Sequence, residues 1–143
     1  MINLFFGHKT KVLVVNGSRR ETGIMSGYLP EAEFEVIKAG SGRTGMKAAL
    51  KELPEIIILD SDLPAGNGWE TLAQLKNDSK TSSIPVLMST PMGDHASSER
   101  AYSCGAQGCI PKPFKREVLV TRIARRLNRP GEPEPGSSRR SYF

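Results

Sequence analysis

The stretch Ile56-Ile57-Ile58-Leu59-Asp60 is followed by Ser61-Asp62-Leu63-Pro64-Ala65-Gly66-Asn67-Gly68. Three β-branched residues and a leucine in an unbroken row suit a strand buried on both faces. An aspartate closes the row, and the residues after it carry turn chemistry. In an open parallel sheet, ligands gather at the carboxyl ends of the strands, so Asp60 stands where a site would form. A single aspartate there does no more than open a turn. Its weight depends on what the other strands end in.

Working outward, Val12-Leu13-Val14-Val15 is a second continuous apolar row, ending in the turn Asn16-Gly17-Ser18. The spacing of Ile24, Met25, Tyr28 and Leu29 predicts a helix over 19–29 with Ser18 as its N-cap. Gly23 and Gly27 each cost about 1 kcal/mol against alanine, so that helix is weakly encoded. Phe34–Ala39 reads as a shorter, partly buried strand at a sheet edge. Met46, Ala49, Leu50 and Leu53 form the apolar stripe of a second helix, stopped by Pro54. Trp69, Leu72, Ala73 and Leu75 mark a third, from about 69 to 77.

Ile84–Thr90 is the fourth strand. A serine-rich helix over 95–104 follows, with Ala101 and Cys104 expected inward. Cys109-Ile110 is a very short fifth strand cut by Pro111-Lys112-Pro113. Val120, Ile123, Ala124 and Leu127 carry the last helix, with Lys115, Arg116, Arg122, Arg125 and Arg126 outward. Five alternations of strand and helix with short turns predict a doubly wound α/β fold. It would be a three-layer (βα)5 sandwich around a five-stranded parallel sheet, flavodoxin-like. Residues 1–10 read as a lead-in and 11–128 as the domain. Residues 129–143, rich in Pro, Gly, Ser and Arg, read as a disordered tail.

Composition narrows the function classes. With 143 residues the chain holds one domain and a short appendage. A formal charge of +5 admits an acidic partner without demanding one. No recognition-helix module supports nucleic acid, and no apolar run reaches transmembrane length. Two cysteines without a histidine cluster suggest neither a disulfide framework nor zinc. A cytoplasmic protein is expected. There is no P-loop and no Ser/His/Asp spacing, so an enzyme is not expected.

The strand ends then gain a common meaning. Asn16-Gly17, Asp60, Thr90 and Lys112 converge on one rim of a doubly wound sheet. A carboxylate, a hydroxyl and an ammonium together suit the handling of a phosphoryl group. Ile57-Ile58-Leu59-Asp60, Leu63-Pro64, Gly68, Ile84-Pro85-Val86 before Thr90, Gly105-Ala106 and Lys112-Pro113-Phe114 resemble the CheY-like receiver domain of bacterial two-component response regulators. The resemblance covers roughly residues 11–127. It implies that Asp60 accepts phosphate from a histidine kinase and that Thr90 and Lys112 stabilise the phosphorylated state.

The same resemblance exposes two departures. The family carries an acidic pair for Mg²⁺ after strand one, where this chain has Asn16 and Gly17. Asn16 still offers a carbonyl oxygen, and Asp60 and Asp62 are the metal ligands that remain, Asp62 through its backbone carbonyl. Mg²⁺ wants oxygen ligands, preferably charged. The sequence leaves open whether Glu21 or the Asp62 side chain replaces the missing acids. The family's strand-five switch aromatic is replaced by Cys109, which reads as a packing residue. Two functions follow. One is a pseudo-receiver in a phosphorelay, acting by protein–protein binding without the Mg²⁺ switch. The other is a phosphoacceptor at Asp60 with conventional, phosphorylation-dependent partner binding. The expected partner is a protein, a histidine kinase or an acidic surface.

Overall fold

A computed structural model describes residues 8–64, 67–91 and 93–128. Most of the lead-in and the whole 129–143 tail fall outside them. In chain order the elements are β1 (Thr10–Val15), α1 (Arg19–Tyr28), β2 (Phe34–Ala39), α2 (Gly42–Glu52) and β3 (Ile56–Asp60). They continue with α3 (Gly68–Asn77), β4 (Val86–Pro91), α4 (His95–Ser103), β5 (Gly108–Lys112) and α5 (Arg116–Asn128). The strands lie in the order β2-β1-β3-β4-β5, and every neighbouring pair is parallel. Among the described residues no helix is long and apolar enough to cross a membrane.

Alternation along the strands divides the core into two layers. Val12, Val14, Ile56 and Ile58 face Met25 of α1, the capping Leu29 just after it, and Leu119 and Ile123 of α5. Leu13, Val15, Ile57 and Leu59 face Ala49 of α2, Leu72 and Leu75 of α3, and Ala101 of α4. Both faces of β3 are therefore buried, as its unbroken apolar row requires. The sandwich has three layers, as expected from the sequence.

Several local expectations need correction. Leu50 and Leu53 point outward, at 36% and 54% exposure. The cause is Gly45: a Cβ there would come 2.8 Å from Val15 Cγ1. The helix approaches β1 along its Gly45–Ala49 side, which turns the leucines away. On α5 the buried positions include Leu119, Ile123 and Arg126, spaced i, i+4, i+7. Arg126 is consequently inside, not outward. Cys104 caps the C-terminus of α4 and is exposed. Gly105, at φ 104°, turns the chain away just after it, so Ser98 and Ala101 form the inward face of α4.

β2 is an edge strand as expected, but it is six residues long and no shorter than β1. β5 runs five residues, through Pro111. It tolerates the proline because it is the other edge, where a missing outward N–H breaks no ladder bond.

The close approach at Gly45 makes a prediction. Gly45→Ala should lower unfolding free energy by about 1–3 kcal/mol through overpacking, although alanine is the better helix former. Leu50→Ala should change it by no more than about 0.5 kcal/mol. Urea denaturation of the two variants measures both.

Candidate functional site

Parallel strands place their carboxyl ends on one rim, and the polar residues of the chain's apolar strands stand there. Asp60 ends β3 with its side chain 5% exposed. Lys112 ends β5, and its Nζ lies 2.9 Å from Asp60 Oδ1. The Asp62 N–H donates to the same oxygen at 3.2 Å. Gly68 opens α3 directly against this turn, its N–H donating to the Ser61 carbonyl at 3.2 Å. A Cβ on Gly68 would fall 2.1 Å from the Asp60 carbonyl oxygen, so only glycine lets the helix start here. Gly17, Ser18, Glu21, Asp60, Asp62, Leu63, Pro64 and Lys112 line an open cleft of about 400 Å³.

The start of α1 builds the other wall. The Ser18 hydroxyl caps the helix by accepting from the Glu21 N–H at 3.1 Å. The Ser18 N–H in turn donates to Asn16 Oδ1 at 2.7 Å. Because a backbone N–H can only donate, that bond fixes the amide: oxygen toward the helix, nitrogen toward the cleft. Asn16 Nδ2 donates to Glu21 Oε1 at 3.0 Å, and Lys112 Nζ lies 3.2 Å from that same oxygen. Burial would raise the Glu21 pKa, but the Asn16 hydrogen bond and the Lys112 ammonium outweigh it and hold it below the usual carboxylate value. For Lys112, burial pulls downward while Asp60 and then Glu21 push upward, and the net effect is above an ordinary lysine.

This arrangement does not fit a divalent ion of the kind expected after strand one. The Asn16 carbonyl, expected to be available, is already taken by Ser18. Gly17 has no side chain, and a Cβ there would meet the Pro64 ring at 2.7 Å. Among the described residues no group of three or more His, Cys, Asp or Glu side chains could hold a metal ion. Asp62 lines the cleft with an exposed side chain.

Of the three residues expected to share the rim, Asp60 and Lys112 touch. Thr90 stands near the end of β4, fully buried, its hydroxyl without a hydrogen-bond partner among the described residues. The residue beside Asp60 in the sheet register is Ser89, also fully buried and with an unpartnered hydroxyl. Sequence reasoning passed over Ser89 and left Glu21 as an open question. The signal for Glu21 was an acid in the first turn after a serine cap.

Cys109 packs in the layer covered by α2, α3 and α4, next to Met88 in register. Arg122 of α5 donates to its backbone carbonyl. Burial pushes the thiol up to about 11, against the smaller opposing pulls of the Ser98 hydroxyl and the Arg122 charge.

Sequence and structure comparisons identify the family and the fold. The family described as "Response regulator receiver domain" matches residues 12–124. PilH of Pseudomonas aeruginosa is 29% identical over 113 residues, covering 79% of this chain and 93% of that protein. A CpxR homolog of Haemophilus influenzae, named a transcriptional regulatory protein, is 32% identical over 124 residues, 87% of this chain and 53% of its own length. The chain thus spans about half the length of several curated relatives it matches. Among solved structures, the chemotaxis response regulator CheY4 of Vibrio cholerae superposes with a TM-score of 0.77 at 30% identity. That match covers 82% of this chain and 98% of the other.

The two thiols should differ sharply in reactivity. A thiol near 11 carries little thiolate at pH 8, and its side chain is sealed in the core. Exposed Cys104 should therefore alkylate readily in the native protein, with Cys109 reacting only after denaturant is added. Intact mass after iodoacetamide treatment counts the adducts. Two adducts on the native chain would contradict a packing role for Cys109.

Proposed function

This chain belongs to the response regulator receiver domain family of two-component signalling, and on that premise we propose that it is an atypical receiver. In this reading it signals by binding a protein partner, keeps Asp60 at the phosphoacceptor position, and lacks the Mg²⁺-dependent phosphoryl switch. The observation that carries the reading is the fixed amide of Asn16, which turns a donor and not an acceptor toward the cleft. With Gly17 beside it, the end of β1 supplies no side-chain carboxylate for a cation. Each missing carboxylate is worth about 4 kcal/mol per unit of cation charge at ~4 Å and an effective dielectric near 20, before desolvation. Cys109 at the family's switch position adds support, because it removes the ring that would report a change at Thr90.

A second reading keeps phosphoryl transfer to Asp60. Its support is the Lys112–Asp60 contact at 2.9 Å and the buried Thr90 hydroxyl near the end of β4. An incoming phosphoryl oxygen would give that hydroxyl a partner, and leaving it unpaired costs free energy.

For the partner, the exposed Lys115, Arg116 and Arg125 of the α5 end favour an acidic protein surface, such as that of a histidine kinase. Binding of that kind weakens as ionic strength rises.

The experiment that separates the two readings is incubation with acetyl phosphate and MgCl₂, followed by intact mass, with Asp60→Ala as control. The expected outcome is an unmodified chain. One phosphoryl group on the wild type, absent from the control, would replace the atypical reading with the phosphoacceptor one.

A further inference from the structure

The rim carries one group to which the receiver resemblance assigns no role: the Glu21 carboxylate, on α1, reaching Lys112 on β5. The Lys112 ammonium lies 2.9 Å from Asp60 Oδ1 and 3.2 Å from Glu21 Oε1. It thus bridges two carboxylates supplied by two different elements. Asn16 Nδ2 donates to that same Glu21 oxygen at 3.0 Å, and the Ser18 cap fixes the first turn from which Glu21 projects. Asn16 and the Ser18 cap thus hold Glu21 on the side of the lysine.

We propose that Lys112 is the resident cation of this pocket and that Glu21 is the positioning residue that holds it there, against Asp60, on the ground a divalent ion would need. The inference rests on reading this rim as the receiver's functional site. It adds a reason for cation independence that the missing acidic pair does not supply. Where acids are merely absent, a divalent ion is weakly attracted. Here it is also opposed by a tethered positive charge already paired with both carboxylate oxygens it would approach. The tether matters, because an ammonium fixed by its own backbone competes at a high effective concentration. The exposed Asp62 side chain remains on the same cleft, and the ammonium opposes a cation there in addition to the missing acidic pair.

Mn²⁺ titrated into the full chain, with free Mn²⁺ read by electron paramagnetic resonance, tests this on four proteins. Wild type and Lys112→Arg, which keeps the charge, should take up Mn²⁺ weakly. Lys112→Met should bind it about tenfold more tightly or better, since two carboxylates then converge without a cation. Glu21→Gln, which leaves Lys112 in place without its second carboxylate, should bind Mn²⁺ more tightly than wild type and less tightly than Lys112→Met. If Lys112→Met is unstable by itself, a rise in its Tm with Mn²⁺ reports the same site, and wild type should show no such rise. Wild type binding Mn²⁺ as tightly as Lys112→Met would overturn the resident-cation role. Glu21→Gln binding Mn²⁺ as weakly as wild type would overturn the part given to Glu21. Phosphoryl uptake is scored separately by mass: wild type that accepts phosphate yet shows this Mn²⁺ pattern removes the atypical reading and leaves the inference standing.

Discussion

The constraint that organises this molecule is the coverage of its central strand on both faces. With helices above and below β3, a polar side chain within the strand would be stranded in apolar surroundings at a cost of a few kcal/mol. Ile56 to Leu59 answer that demand, and the first polar residue appears only where the strand emerges. The same holds for β1, whose apolar run gives way to Asn16. In these two strands the packing of the core thus leaves the carboxyl-end rim as the place for Asp60 and Asn16.

Confining charges to one rim brings them within reach of each other, and their balance becomes a structural matter. Asp60 is almost wholly buried and would be costly as an isolated ion. Its partner comes from β5, two strands away in the sheet. Lys112 is shared in turn with Glu21, which ties α1 to β5 across the mouth of the cleft. Asn16 completes the arrangement without adding charge, satisfying Ser18 with one end of its amide and Glu21 with the other. An aspartate at that position could accept from Ser18 but would repel Glu21. The asparagine and the glutamate therefore make sense together, as complementary choices.

Much of this was legible in the sequence, and the reasons it stopped being legible are physical. Continuous apolar rows announced the strands, because burial on both faces leaves no alternative pattern. Their terminal residues announced Asp60 and Lys112, because topology alone puts strand ends side by side. What could not be read was rotation and reach. Gly45 lets α2 settle against Val15 on a small-residue side, so hydrophobicity pointed to Leu50 and Leu53 where packing chose Gly45 and Ala49. Arg126 looked solvated by its charge, yet it sits on the i, i+7 line of Leu119. The reach of Glu21 across the rim depends on the angle of a helix whose own sequence, with Gly23 and Gly27, hardly specifies it. The receiver resemblance correctly supplied the family and the fold, while the orientation of the Asn16 amide came only from the coordinates.

The outer edge of β5 has a consequence for how another chain could dock. An exposed edge normally invites strand addition, in which a visiting peptide extends the sheet by main-chain hydrogen bonds. Here Pro111 has no amide proton to offer such a visitor, and the Cys109 carbonyl is already occupied by the Arg122 guanidinium. Both devices act within the same short strand. The edge is thereby closed to templated pairing, which guards against edge-to-edge aggregation and leaves recognition on this side to side chains alone.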